Sequence, residues 1–329
     1  MAIEIGPGWT IGGGISIVQP PSGNTAGWFV GGVGPPSYLQ LSTVQRITFA
    51  TDTGTASVSG PLSSVRYQAA GAGTFTDGWI AGGGPTPPQS TIDRITYATD
   101  TATTSIRGPL SIGIAALAGV SDNTTYGWFG GGNSPSNTFN ISTIQRIVYS
   151  SDTSTATTRG QLSVGRILPS ATGDTTYGWF GGGRNPALTP TRVSTIDRIT
   201  YATDTGTASV RGPLTVSVDK TGAIGTTTYG WFGGGYLSTS ADTSTVSRIT
   251  YATDTATASV RGPLSLARSG LGVSTSGDEN YGWFGGGEAS FVAKSTIDRI
   301  EYATDTATAT ARGPLSVARV TIAGVSGIQ

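Results

Sequence analysis

The 329-residue chain contains no cysteine and no histidine, and its one methionine is Met1. Disulfides, thiolate and imidazole metal sites, and Ser-His-Asp or Cys-His nucleophiles are therefore excluded. Charge is scarce as well. Lys and Arg number 19, Asp and Glu number 19, the formal net charge is zero, and charged residues make up 12% of the chain with no long run of one sign. A nucleic-acid clamp or a binder of anionic membranes needs a positive surface, so neither is expected. No window approaches 18 consecutive apolar residues, so no membrane insertion is expected. The opening MAIEIGPGWT has no basic n-region and no apolar h-region, and does not read as a secretory signal.

What is abundant is turn-forming residues, 51 Gly and 17 Pro, set among Thr, Ser, Ala, Val and Ile. This composition reads as many short strands joined by many turns, with few helices. The residues are ordered by a repeat. Gly-Trp recurs with its Trp at Trp28, Trp79, Trp128, Trp179, Trp231 and Trp283, spaced 49–52 residues apart. Arg-Ile recurs at Arg46, Arg94, Arg146, Arg198, Arg248 and Arg299, and Gly-Pro-Leu or Gly-Gln-Leu at Gly60, Gly108, Gly160, Gly212, Gly262 and Gly313. All three markers keep phase.

Each unit offers four strand-length pieces. A small-residue apolar run comes first, as in residues 269–274. YGWFGGG follows, with Tyr281 and Trp283 on one strand face and Phe284 on the other. STIDRIEYA and the TATATAR run come third and fourth, with T-D-T as a polar turn between them. About 50 residues in four antiparallel strands correspond to one propeller blade. The expected fold is all-β, a six-bladed β-propeller of four-stranded antiparallel blades. Six such strands are present, five reading GWF and the second unit GWI at 78–80, but Trp28 has no clear first strand before it. Residues 319–327, which follow the last unit, supply one, so the C-terminal strand is expected to complete the first blade and remove free edges.

The order of a strand ending in Gly-Gly, a variable loop, an aromatic-bearing strand and a strand leading to Pro-Leu resembles the kelch repeat. The doublet falls within GGG at 130–132, 181–183, 233–235 and 285–287. The aromatic falls at Phe49, Tyr97, Tyr149, Tyr201, Tyr251 and Tyr302. The family's Trp on the last strand is absent, and GWF carries the aromatic weight instead. The resemblance covers residues 24–329 and implies a propeller of interaction type. Residues 1–23 stand apart as an attachment arm or a stray half-repeat. Their short Gly-rich β segment ahead of a binding domain resembles the opening of phage structural proteins.

Antiparallel strands send loops to two faces. Turns between strands one and two, and three and four, share one face; loops between strands two and three, and the connections between blades, share the other. The three-to-four turn is nearly the same in every unit, whereas every two-to-three loop is different, as in a scaffold displaying six unlike fingers. The candidate ligand or partner residues are those fingers' aromatic and charged side chains: Tyr38, Phe139, Arg184, Arg192, Tyr236, Glu288, Phe291 and Lys294. Isolated aromatics beside polar loop residues suit sugar stacking or protein contact.

The remaining repeated residues read as structural. The six GWF Trp are expected to pack between sheets. The six Arg of Arg-Ile, three of them beside Asp93, Asp197 or Asp298, are expected to form paired charges between blades. The Asp of T-D-T lacks the ligand density a calcium loop needs and reads as a turn cap. The GGG runs precede no helix and have no neighbouring Lys, so they read as close backbone packing, not a phosphate cradle. With four Glu in the chain and most Asp in repeated turns, a glycosidase pair of carboxylates is not expected. No metal, cofactor or catalytic residue is assigned.

The resulting expectation is a non-enzymatic virion structural protein of a phage, of tail-fibre, appendage or decoration type, made in the host cytoplasm. Residues 1–23 would join it to other virion proteins, and the loop face would bind a host-surface glycan or protein. The alternatives are a cytosolic kelch-type interaction scaffold and, less favoured, a carbohydrate-active enzyme.

Overall fold

The computed structural model describes residues 25–135, 140–271 and 276–326, and its regular structure is six four-stranded antiparallel sheets with a few two-stranded pairings and short 3₁₀ turns. The arm expected at residues 1–23 and the candidate Phe139 lie outside the described residues. From the axis outward, the fourth blade runs Ser170–Gly173, Tyr177–Gly181, Ile196–Thr200 and Ser209–Arg211. The first blade is built from both ends of the chain. Ala323–Ser326 lies innermost and pairs with Ala26–Val30, setting Gly27 opposite Ser326 and Val30 opposite Ala323. Val44–Thr48 and Ser57–Ser59 complete it. The ring closes as the sequence implies.

Crowding at the axis explains why the innermost strands are made of small residues. A Cβ on Gly71 would collide with the carbonyl oxygen of Gly324, and one on Gly119 with that of Gly71. Each GWF strand then divides its side chains between two neighbours. Its Phe turns toward the preceding blade, where Phe180 fills the space over Gly130 and Phe232 that over Gly181. Its Trp turns toward the following blade. The six Trp are at most 3% exposed.

Each Trp is the centre of an inter-blade clamp. Trp128 stacks on Tyr201 of the next blade, with ring centroids 4.1 Å apart, and its indole N–H donates to Asp204 at 2.7 Å. Arg146 and Arg159 reach the same carboxylate at 3.1 and 2.8 Å. The indole–carboxylate bond and the ring stack recur at all six junctions, with indole-to-carboxylate distances of 2.7–2.9 Å and Phe49 replacing Tyr opposite Trp283. Five of the six carboxylates take two arginines, while Asp100 takes Arg46 and Ser59 instead. One expectation changes here. The Asp of T-D-T reaches across to the preceding blade and is not a turn cap. The Arg of Arg-Ile pairs between blades, and its partner is that Asp.

The adjacent Asp residues serve a second set of charges. Asp93, Asp197 and Asp298 are fully buried against Arg66, Arg166 and Arg268, at 2.7–2.9 Å. These Arg residues lie on the connections entering the second, fourth and sixth blades. In the third and fifth blades, Ile114 and Val218 hold the Arg position, and Gln145 and Ser247 hold the Asp position. The first blade combines Arg319 with Gln45, and burial without a carboxylate partner pushes the Arg319 guanidinium down to about 10.

Two strand assignments shift. The STIDRIEYA strand stops at Glu301, because Tyr302–Thr304 winds into a 3₁₀ turn, and of the TATATAR run only Thr310–Arg312 joins the sheet. Between them Ala309 is buried and donates its N–H to Pro263 O of the preceding blade, an inter-blade latch. In the sixth blade the described part of the first strand is Ser276–Gly277, and residues 272–275 lie outside the described residues. Ser269, placed in that strand from sequence, belongs to the entry connection and exchanges backbone hydrogen bonds with Glu288. The GGG runs end the second strands. In the fourth blade Gly182 and Gly183 have φ of 66° and 103°, and their amides donate to Thr195 O and Val218 O. With those donors occupied, the run is a backbone bend.

Candidate functional site

The entry connections converge on the axis at the face that carries the two-to-three loops. One residue in each, at 68, 116, 168, 220, 270 and 321, has a φ of 55–69°. Its N–H donates to the carbonyl oxygen of the equivalent residue one blade back, at 2.7–3.3 Å, from Ala116 to Gln68 and on around until Gln68 donates to Thr321. The six bonds form a closed circle. Their side chains (Gln68, Ala116, Leu168, Lys220, Gly270 with none, and Thr321) are all different, so an invariant backbone ring presents variable chemistry.

Above this ring is a cavity of about 420 Å³. Its apolar lining is Ala116, Ile167 and Leu168, and its charged lining is Arg184, Arg192, Asp219, Lys220 and Glu288, with Tyr236 among them and the exposed Phe291 at the lip. Arg192 donates from Nε to Asp219 at 3.0 Å and lies over the Tyr236 ring, 4.6 Å from its centroid. Lys220 approaches the same ring at 5.7 Å and pairs with Glu288 at 3.0 Å. Asp219 is 1% exposed. Its burial pushes the carboxyl above its ordinary pKa, against the pull of Arg192, Lys220 and Arg184. Asp219 Oδ2 and Arg184 Nε have no hydrogen-bond partner among the described residues.

Five of the eight residues singled out from sequence (Arg184, Arg192, Tyr236, Glu288 and Phe291) therefore meet in one cavity, although they come from three blades. Tyr38 stands just outside it, and its hydroxyl donates to the Phe291 carbonyl. Lys294 does not line it; its backbone pairs with Gly287 and Arg319. Gln68, Asn133, Asp219 and Lys220 were missed. Three of these lie on entry connections, which resemble strand in sequence. The available signal was that the connections diverge as the loops do, and that V-D-K at 218–220 places two charges in an otherwise apolar segment.

The chain matches no family model and no curated protein. Among solved structures, one titled "Structure of YjhT" superposes with a TM-score of 0.64, spanning 90% of this chain and 99% of its own, at 12% identity. At that identity the likeness is one of fold alone.

Proposed function

We propose that this is a non-enzymatic, kelch-type β-propeller carried as a structural component of a phage particle, with its loop face binding a ligand on the host surface. One observation carries the reading: divergent side chains from several blades converge on a single cavity, while the scaffold beneath them repeats. A volume of about 420 Å³ with mixed apolar and polar walls is typical of a ligand site. Both carboxylates at the cavity are held by cations, Asp219 by Arg192 and Glu288 by Lys220. With Asp219 only 1% exposed, the two do not form an accessible pair of carboxylates facing the cavity, which supports binding over acid–base hydrolysis.

The setting rests on the resemblance of residues 1–23 and on a sulfur-poor, rigid repeat. Mass spectrometry of purified particles tests it, with peptides of this chain expected among the structural proteins. Recovery from uninfected cell fractions alone, with one dominant partner in a pull-down, would favour the cytosolic scaffold instead. Arg184→Ala, which removes a guanidinium whose Nε has no hydrogen-bond partner among the described residues, should weaken ligand binding without changing the melting temperature by more than a few degrees.

A further inference from the structure

The hairpin that carries Phe291 has the wrong residues for its turn. Glu288–Ala289 pairs with Val292–Ala293, and the two linking residues, Ser290 and Phe291, have φ of 50° and 62°. A two-residue hairpin with both linkers at positive φ favours Asn-Gly. A bulky aromatic there is strained. Burial does not offset the strain, because Phe291 is 73% exposed, the most exposed large apolar side chain among the described residues. The tip is nevertheless held on both sides. Asp242 of the fifth blade accepts the Ser290 N–H at 2.9 Å, and Tyr38 of the first blade donates to the Phe291 carbonyl. Tyr38 is itself at positive φ, 52°. A strained, exposed and braced side chain marks a position kept for something other than the fold.

Phe291 forms the lip of the axial cavity. Within reach of one ligand are the amides of Gln68 and Asn133, the Glu288 carboxylate and the Arg184 guanidinium. An apolar protein plug would bury these groups unpaired, an unfavourable exchange. A pyranose has an apolar C–H face and a rim of hydroxyls that both donate and accept. We infer that Phe291 is a stacking platform for a saccharide, whose hydroxyls reach the polar groups of the cavity. This rests on the loop-face binding reading and specifies its ligand class.

The test uses the full chain. Saturation-transfer NMR and titration are run with the methyl glycosides of glucose, galactose and mannose and their N-acetyl forms, and in parallel the protein is assayed for attachment to host cells. At least one glycoside is expected to bind, with contact through one ring face. Phe291→Ala and Phe291→Gly are each expected to weaken it about tenfold, and Phe291→Trp to retain it. Phe291→Gly should also melt at a higher temperature than the parent, because Gly accepts positive φ without strain. Saccharide binding that survives Phe291→Gly overturns the platform and leaves the loop-face reading standing. If no glycoside binds but Phe291→Ala abolishes cell attachment, the partner is a protein and the saccharide assignment falls. If neither glycosides nor cells are bound, the loop-face reading itself fails.

Discussion

Asp204 collects one indole and two guanidinium groups from the third blade, and its protonation is tied to folding. Burial alone would raise its pKa. Hydrogen bonds from Arg159 and Trp128, with the charges of Arg146 and Arg159, outweigh burial and hold the carboxyl below its ordinary range. A depressed carboxyl contributes stability that is present above the unfolded pKa, about 3.9, and is lost as pH falls through the folded value. Asp204→Asn is therefore expected to cost about 1–3 kcal/mol at pH 7, and less at pH 3, in urea melts. Asp219 has the opposite sign. Its raised pKa means that the folded state holds a proton the unfolded chain has released, so stability falls as pH rises through that window. Asp219→Asn should cost less at pH 7 than at pH 4. Parallel slopes for the two variants would contradict the clamp and the cavity descriptions together. The chain also contains its own weakened clamp: Asp100 receives Trp28 and Ser59, but Arg46 only at 3.9 Å, so Asp100→Asn should be milder than Asp204→Asn.

Among the elements, the entry connections carry an internal substitution series. Arg occurs opposite Asp in three blades, and an aliphatic residue opposite a neutral one in two. A buried Asp without its cation is strongly unfavourable, whereas replacing the whole pair by neutral groups of similar size is often harmless. Arg166→Ile alone leaves Asp197 buried and uncompensated, and should cost about 3–5 kcal/mol. Arg166→Ile combined with Asp197→Gln reproduces the third blade and should recover most of the loss. Gln145 there still accepts the Ser111 N–H, as Asp197 accepts that of Ser163. A double-mutant cycle measures the coupling, and independent, additive effects would refute it. The same elements show what sequence could disclose. The GWF strands were legible because strand periodicity puts Trp and Phe on opposite faces within a few residues. The clamp was not, because Trp128 and Asp204 are 76 positions apart and meet only through the ring. Lys220 was not, because its place at the mouth depends on a positive φ, 58°, that a Lys gives no reason to expect. The TATATAR run misled because alternation signals a strand whether the partner is the same sheet or the neighbouring blade.

At the scale of the molecule, six similar junctions leave each blade dependent on two neighbours, and the ring depends on one strand from the far end of the chain. Ala323–Ser326 supplies the ladder to Ala26–Val30, packs beside the innermost strand of the second blade, and places Val325 over Gly78. Truncation after residue 322 keeps Arg319 and Thr321, and so keeps the ring of hydrogen bonds at the mouth, while removing only the closing strand. The Trp28 strand would then present an unpaired edge next to a core open at the axis. Such an edge pairs with whatever strand is offered, most readily the same edge of another copy. The truncated chain is expected to melt well below the parent and to elute as dimers and larger species in light-scattering chromatography. A synthetic peptide of residues 323–329, added in excess, should return the elution to that of the parent and raise the melting temperature with its concentration, as a ligand that binds only the folded ring. A truncated chain that elutes and melts with the parent would mean that the clamps alone hold the ring, and that the closing strand is dispensable.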